Sequence, residues 1–254
     1  MFKSIYKWNL NYLIKIRAHL GHSSKKSNIN LNSLFYGTRH NIDVFDITKL
    51  WTSYRYLFYS LSEMFLNRSS FFLIGTNKNL PMDVLLNKWL KDYPLYYKQF
   101  NSFYISGYID KKWVEGLFSN WKLFYDFIDY VQLYDSKKKK EYKYERHFQY
   151  LKGIINLKKM PIPDFIIMLD NNELALHEIK NLQIPLIGFV DTDMNPNDFV
   201  YKFFGNNDSV ENLEFFFEFL KEAAKEGRLK EQQLFFFYLL LNIKKKIYGK
   251  KRKV

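Results

Sequence analysis

Three short apolar runs with almost no alternation constrain this 254-residue chain most: SFFLIG at 70–75, DFIIML at 164–169 and PLIGFV at 185–190. A strand with one wet face alternates apolar and polar residues. A run without alternation reads as a strand covered on both sides, as in a parallel sheet between helices. The intervening sequence has the matching period. Leu50, Tyr54, Leu57, Phe58, Leu61, Met64 and Phe65 recur at helical spacing, Pro81 suits the first turn of a helix through about Tyr93, and 173–181 reads as a crossover helix. SFYISGYI at 102–109 and FVYKFF at 199–204 supply further strands, the second at an edge. Strands alternating with helices give a doubly wound α/β domain, with a mostly parallel sheet and helices on both faces. No Pro/Gly/Ser-rich linker divides it, so residues 1–254 are expected to form one domain.

Three segments depart from that rhythm. Ile5, Tyr6, Leu10, Leu13, Ile14 and Arg17 fit a first helix, and polar, turn-rich residues 21–41 follow. The 1–41 segment is therefore expected to be a basic helix and loop, leading into a short strand at 42–47 and a helix capped by Asp46 or Thr48. Within 121–158, Trp121, Phe124, Ile128 and Val131, then Tyr144, Phe148, Leu151 and Ile155, form two helical stripes around DSKKKK at 135–140. That pattern predicts an inserted helical hairpin. Finally, Asp208 with Glu211 reads as a capping pair for a long helix, which Gly227 is expected to interrupt before a second helix enters the tail at 244–254.

Charge is distributed as unevenly as the hydrophobic pattern. The net charge is +13, yet residues 1–41 hold seven Lys or Arg and no acid, whereas 160–220 hold eleven acids against Lys180 and Lys202. Residues 221–254 return to eleven bases against three acids. Basic ends flanking an acidic block suit two attachment points on a polyanion, and RNA fits better than a merely solvated surface. The residues expected at those contacts are Lys15, Arg17, His19, His22, Lys25, Lys26, Arg39 and His40, together with Lys244, Lys245, Lys246, Lys250, Lys251, Arg252 and Lys253. The lysines of 135–140 read as a solvated turn, with RNA contact as the sharper alternative.

Other chemistries fare worse. There is no Cys, so neither a disulfide framework nor a thiolate site exists. The apolar stretch at 234–243 is about half a membrane span, so no membrane partner is expected. Pro163-Asp164 followed by Glu178-x-Lys180 has the look of a metal-dependent nuclease core, but Glu178 and Lys180 on a helix point about 200° apart. Asp191, Asp193, Asn195 and Asp198 begin like a calcium loop. Pro196 then stands in place of the required Gly and Lys202 in place of the bidentate Glu, leaving a self-bonded turn with room for a Mg²⁺ near Asp191 and Asp193 as the alternative. A zinc site at His19 and His22 would have only His40, His147 and His177 to complete it. Neither GxGxxG nor GxxxxGK[ST] occurs, and no cofactor, small-molecule substrate or nucleophile triad can be assigned.

Five blocks stand in fixed order: AHLGH at 18–22, YGTRHNIDVFDITKL at 36–50, FFLIGTNKN at 71–79, KKWVEGLFSNW at 111–121 and PDFIIMLDNNELALHEIKNLQIPLIGFVDTDMNPNDFVYKFFGNNDSVENL at 163–213. Together they resemble the universal S-two family of small-subunit ribosomal proteins. The family pattern has a HxGH start, a YGxRN strand, a RWLGGxLTN turn and VDTxxDP before GND. Glu115 stands where the family favours Gly, and GNN replaces GND. The resemblance implies a structural protein, not an enzyme, bound to small-subunit rRNA and to other ribosomal proteins, with the 121–158 excursion a shortened form of the family's protruding coiled coil. Heavy use of Phe, Tyr, Asn and Lys matches AT-rich codons. With AHLGH so near the start there is little room for a removable presequence, so a mitochondrial, organelle-encoded member acting in the matrix is expected in preference to a plastid one.

Overall fold

A computed structural model describes residues 8–77, 81, 84–85, 105–124, 126 and 162–251, with 239–251 as backbone alone. The expected hairpin beyond its first turn at 121–124, most of the helix after Pro81, and residues 252–254 lie outside the described residues.

The apolar runs form one sheet. Strands β4 (Phe71–Ile74), β5 (Ile105–Ile109), β6 (Phe165–Met168), β7 (Leu186–Val190) and β8 (Tyr201–Phe204) lie in the order β5-β4-β6-β7-β8, every pair parallel. The first four are buried at every position, as the lack of alternation requires, and β8 takes the edge. Helix α3 (Glu173–Asn181) is the crossover from β6 to β7, capped by the Asn172 side chain.

Helix α2 (Ile47–Leu66) starts at Asp46, whose carboxylate accepts from the Thr48 amide at 2.9 Å, and buries Leu50, Tyr54, Leu57, Phe58, Leu61 and Phe65. It packs against β8 and against α4 (Val210–Lys251). Aromatic rings fill that seam. Tyr54 stacks on Phe203 at 4.2 Å and donates its hydroxyl to the Phe204 carbonyl, and Phe189 and Phe216 close on Phe203 at 5.0 and 4.8 Å. Such pairs are worth about 0.5–1.5 kcal/mol each beyond the area they bury. Burial without a charged partner pushes the Tyr54 phenol far up, so it stays protonated and serves as a donor.

Four expectations need correction here. Gly227 does not break α4, which runs unbroken through 42 residues. A Cβ at Gly227 would stand 2.7 Å from the Ser62 carbonyl and 2.8 Å from the Phe65 Cβ, so the glycine lets two helices touch. The cap of α4 is Ser209, not Asp208: its hydroxyl accepts from the Asn212 amide at 3.4 Å. The 21–41 loop is largely ordered into β1 (Leu20–Ser23), a 3-10 turn at Ile29–Leu34 and β2 (Phe35–Arg39), which join β3 (Ile42–Phe45) in an antiparallel sheet of order β1-β3-β2. His40 and Asn41, with φ of 51° and 62°, make the two-residue turn between β2 and β3. The first helix is also shorter at its end than its apolar spacing predicts. Helix α1 (Leu10–Lys15) ends in a left-handed Arg17, with the Ala18 and Arg17 amides returning to Leu13 and Ile14.

The small sheet does not stand alone. Thr192, just beyond β7, accepts the His22 amide on its hydroxyl and the Asn28 amide on its carbonyl, both at 2.8 Å. Gly21 permits that contact, since a Cβ there would fall 2.2 Å from Thr192 Cγ2.

Candidate nucleic-acid interface

The polar turn after β1 and the tip of the β2–β3 hairpin meet. The Ser24 amide donates to the Asn41 carbonyl at 2.9 Å, so Lys25 and Lys26 share one end of the small sheet with Arg39 and His40. All four are exposed. Lys25, Lys26 and Arg39 form no ion pair among the described residues, whereas Lys49, Arg68, Lys180, Lys225 and Lys230 each meet an acid. Concentrated unpaired cations at one rigid edge are what phosphate contact requires. Lys15 and Arg17, at the end of α1, are exposed as well.

His19 and His22 face differently. The His19 ring is half-buried, its Nδ1 meets no partner among the described residues, and burial pulls its pKa down, which leaves it neutral near pH 7. His22 sits between carboxylates, Nδ1 3.3 Å from Asp191 Oδ1 and Nε2 3.2 Å from Asp208 Oδ2. The adjacent Asp191 carboxylate raises its pKa to about 9 against the opposing effect of burial. The imidazolium is therefore committed to an internal pair that ties β1 to the end of β7 and the start of α4. Asp191 is fully buried and also accepts from the amides of Thr192 (2.6 Å) and Asn207 (3.0 Å). Nearby Asp193 is pushed up by burial and by the neighbouring carboxylates, with His22 opposing.

In the tail, Lys244, Lys245, Lys246, Lys250 and Lys251 lie on the backbone of α4, and Arg252 and Lys253 fall outside the described residues. The residues of the nuclease-like pattern are each bound to other parts of the fold. Glu178 accepts from the amides of Gly116 (2.9 Å), Phe118 (2.8 Å) and Ser119 (3.0 Å), and from the Ser119 hydroxyl. Asp164 accepts from the Ser70 amide at 2.6 Å, and Lys180 pairs with Asp198 at 2.6 Å. The three residues of the nuclease alternative thus serve three separate contacts. Among the described residues no group of three or more His, Asp or Glu is disposed to hold a metal ion, the Asp191–Asp193 turn included.

The crevice where doubly wound sheets hold ligands lies beyond the ends of β4 and β6, where the strand order reverses. Here Asp170 fills it, accepting from the Thr76 amide (2.8 Å) and hydroxyl (2.5 Å), while Asn172 donates to that hydroxyl at 2.9 Å. Burial raises the Asp170 pKa. Sequence spacing shows none of these long-range ties, because His22 and Asp191 are far apart in the chain.

The chain matches the family model described as Ribosomal protein S2 over residues 13–227. It is similar to the small ribosomal subunit protein uS2 of Helicobacter acinonychis, 24% identical over 230 residues that span 85% of this chain and 88% of the relative. The uS2 of Helicobacter pylori strain J99 is also 24% identical, with 85% and 82% covered, and that of Wolinella succinogenes is 23% identical, with 85% and 80% covered. With that match running from helix α1 through the glycine contact in α4, the chain belongs to the Ribosomal protein S2 family.

Proposed function

We propose that this protein is a structural constituent of the small ribosomal subunit, not an enzyme, and that it holds small-subunit rRNA through the basic end of its three-stranded sheet. The observation that carries this reading is the family match across 13–227, with Lys25, Lys26, Arg39 and His40 gathered at one exposed edge inside it. Lys15 and Arg17 extend that edge, and the lysines at the end of α4 with Arg252 and Lys253 form a second attachment. His19 and His22 contribute by shape and by holding β1 in place. Other small-subunit proteins complete the surroundings.

The organelle is part of the proposal. A chain with 25 Phe and 20 Tyr, and identity of 24% or less to the bacterial relatives above, fits a mitochondrial member that has drifted under an AT-rich genome. Sedimentation of the tagged protein from purified mitochondria tests both parts. Co-migration with small-subunit rRNA is expected. A light fraction that cleaves RNA with Mg²⁺ would overturn the structural role, and co-migration only with cytosolic or plastid subunits would overturn the location.

A further inference from the structure

The small sheet also presents an aromatic ring that phosphate binding leaves unused. Tyr36 is the extra residue of a bulge in β2: Phe35 pairs with Phe45 and Gly37 with Val44, which are adjacent on β3. Its side chain is 84% exposed and makes no hydrogen bond among the described residues. Beside it, nothing lies within 4 Å of the place where a Cβ of Gly37 would stand. Gly37 and Arg39, opposite Val44 and Ile42, share the open face of the sheet. The other face is closed, with Asp43 buried and accepting from Thr38 Oγ1 at 2.8 Å and from Ser27. An aromatic ring, an empty position and an unpaired guanidinium therefore line one open surface, with Lys25 and Lys26 at its end.

We propose that this surface is a stacking site for an unpaired base of the small-subunit rRNA, with Tyr36 as the platform and Arg39 holding the flanking phosphate or the base plane. The proposal rests on the rRNA reading above and deepens it. An unpaired base is favoured over a duplex because stacked pairs leave no free face for a tyrosine, whereas single strands splay their bases onto aromatic rings.

The test compares the intact chain with Tyr36→Leu, Tyr36→Phe and Tyr36→Trp, binding transcribed small-subunit rRNA over a range of salt. Tyr36→Leu is expected to lose about tenfold in affinity at every salt concentration, with the slope against salt unchanged because no cation is removed. Tyr36→Phe and Tyr36→Trp are expected to retain binding, and all variants to melt with the wild type since the site is exposed. Wild-type affinity in Tyr36→Leu would overturn the stacking site while leaving the rRNA reading intact. Equal losses in the Phe and Trp variants would overturn it too, pointing to the hydroxyl or to a protein neighbour. A wild-type chain that never sediments with the subunit would instead overturn the underlying rRNA reading.

Discussion

Around strands β6 to β8, carboxylates are tied to other parts of the fold: Asp164, itself exposed, to Ser70, Asp170 to Thr76, Glu178 to three amides of 116–119, Asp191 to His22, and Asp198 to Lys180. At the tip of the small sheet, Lys25, Lys26 and Arg39 meet no acid among the described residues. Both regions are dense in charge, yet one uses it to satisfy backbone donors and the other leaves it facing outward. The sum over a segment therefore misleads. Residues 160–220 are strongly acidic in composition, but Asp170 and Asp191 are buried and Asp164, Glu178 and Asp198 are held in hydrogen bonds or an ion pair, so the block offers less of a repulsive field to RNA than its total suggests. The basic tip offers nearly all of its own.

If the acids are structural, removing them should damage stability and spare RNA contact. The largest effect is expected for Asp191→Ala, which deletes a buried carboxylate holding two amides and the His22 imidazolium. About 3–5 kcal/mol should be lost in thermal or denaturant unfolding, with rRNA affinity of the folded fraction unchanged. Glu178→Ala should cost about 1–3 kcal/mol, since the amides of Gly116, Phe118 and Ser119 lose their acceptor. A Glu178→Ala protein of wild-type stability would separate that residue from the structural set.

A pH series sharpens the same contrast. The folded pKa of His22, about 9, lies above its ordinary 6.5, so the pair stabilises fully below pH 6.5 and fades as pH rises through 9. Because solvent screens a ring that is 25% exposed, the loss should be about 1 kcal/mol, and His22→Gln should flatten it. In the tail, deleting 244–254 should lower the salt slope of rRNA binding by at most about 0.9 log units per lost phosphate contact, with folding of the body intact.

Much of the fold was legible because burial on both faces leaves a sequence signature. FFLI, FIIM and LIGFV became parallel strands where the runs predicted them, and Leu50 through Phe65 became the buried stripe of α2. The failures share one cause, namely contacts between residues distant in the chain. Residues 21–41 look like a loop because their order comes from Thr192 and Asp191, and Gly227 looks like a break because its role is set by Ser62 and Phe65. Of the proposed interface, charge clustering named Lys25, Lys26, Arg39 and His40, which the fold gathers at one exposed end of the small sheet, yet composition could not tell that His22 lies between carboxylates or that Tyr36 stands exposed in a bulge.

The most direct test of the division between acids tied up within the fold and bases left unpaired is the salt dependence of small-subunit rRNA binding by the intact chain and by its Lys25→Gln, Lys26→Gln, Arg39→Gln triple variant. The triple variant is expected to fold with stability within about 0.5 kcal/mol of the wild type, and its log-log slope should be shallower by about 2–3 units, one phosphate for each lost cation. An unchanged slope at unchanged stability would contradict the assignment and place the rRNA face of this protein elsewhere.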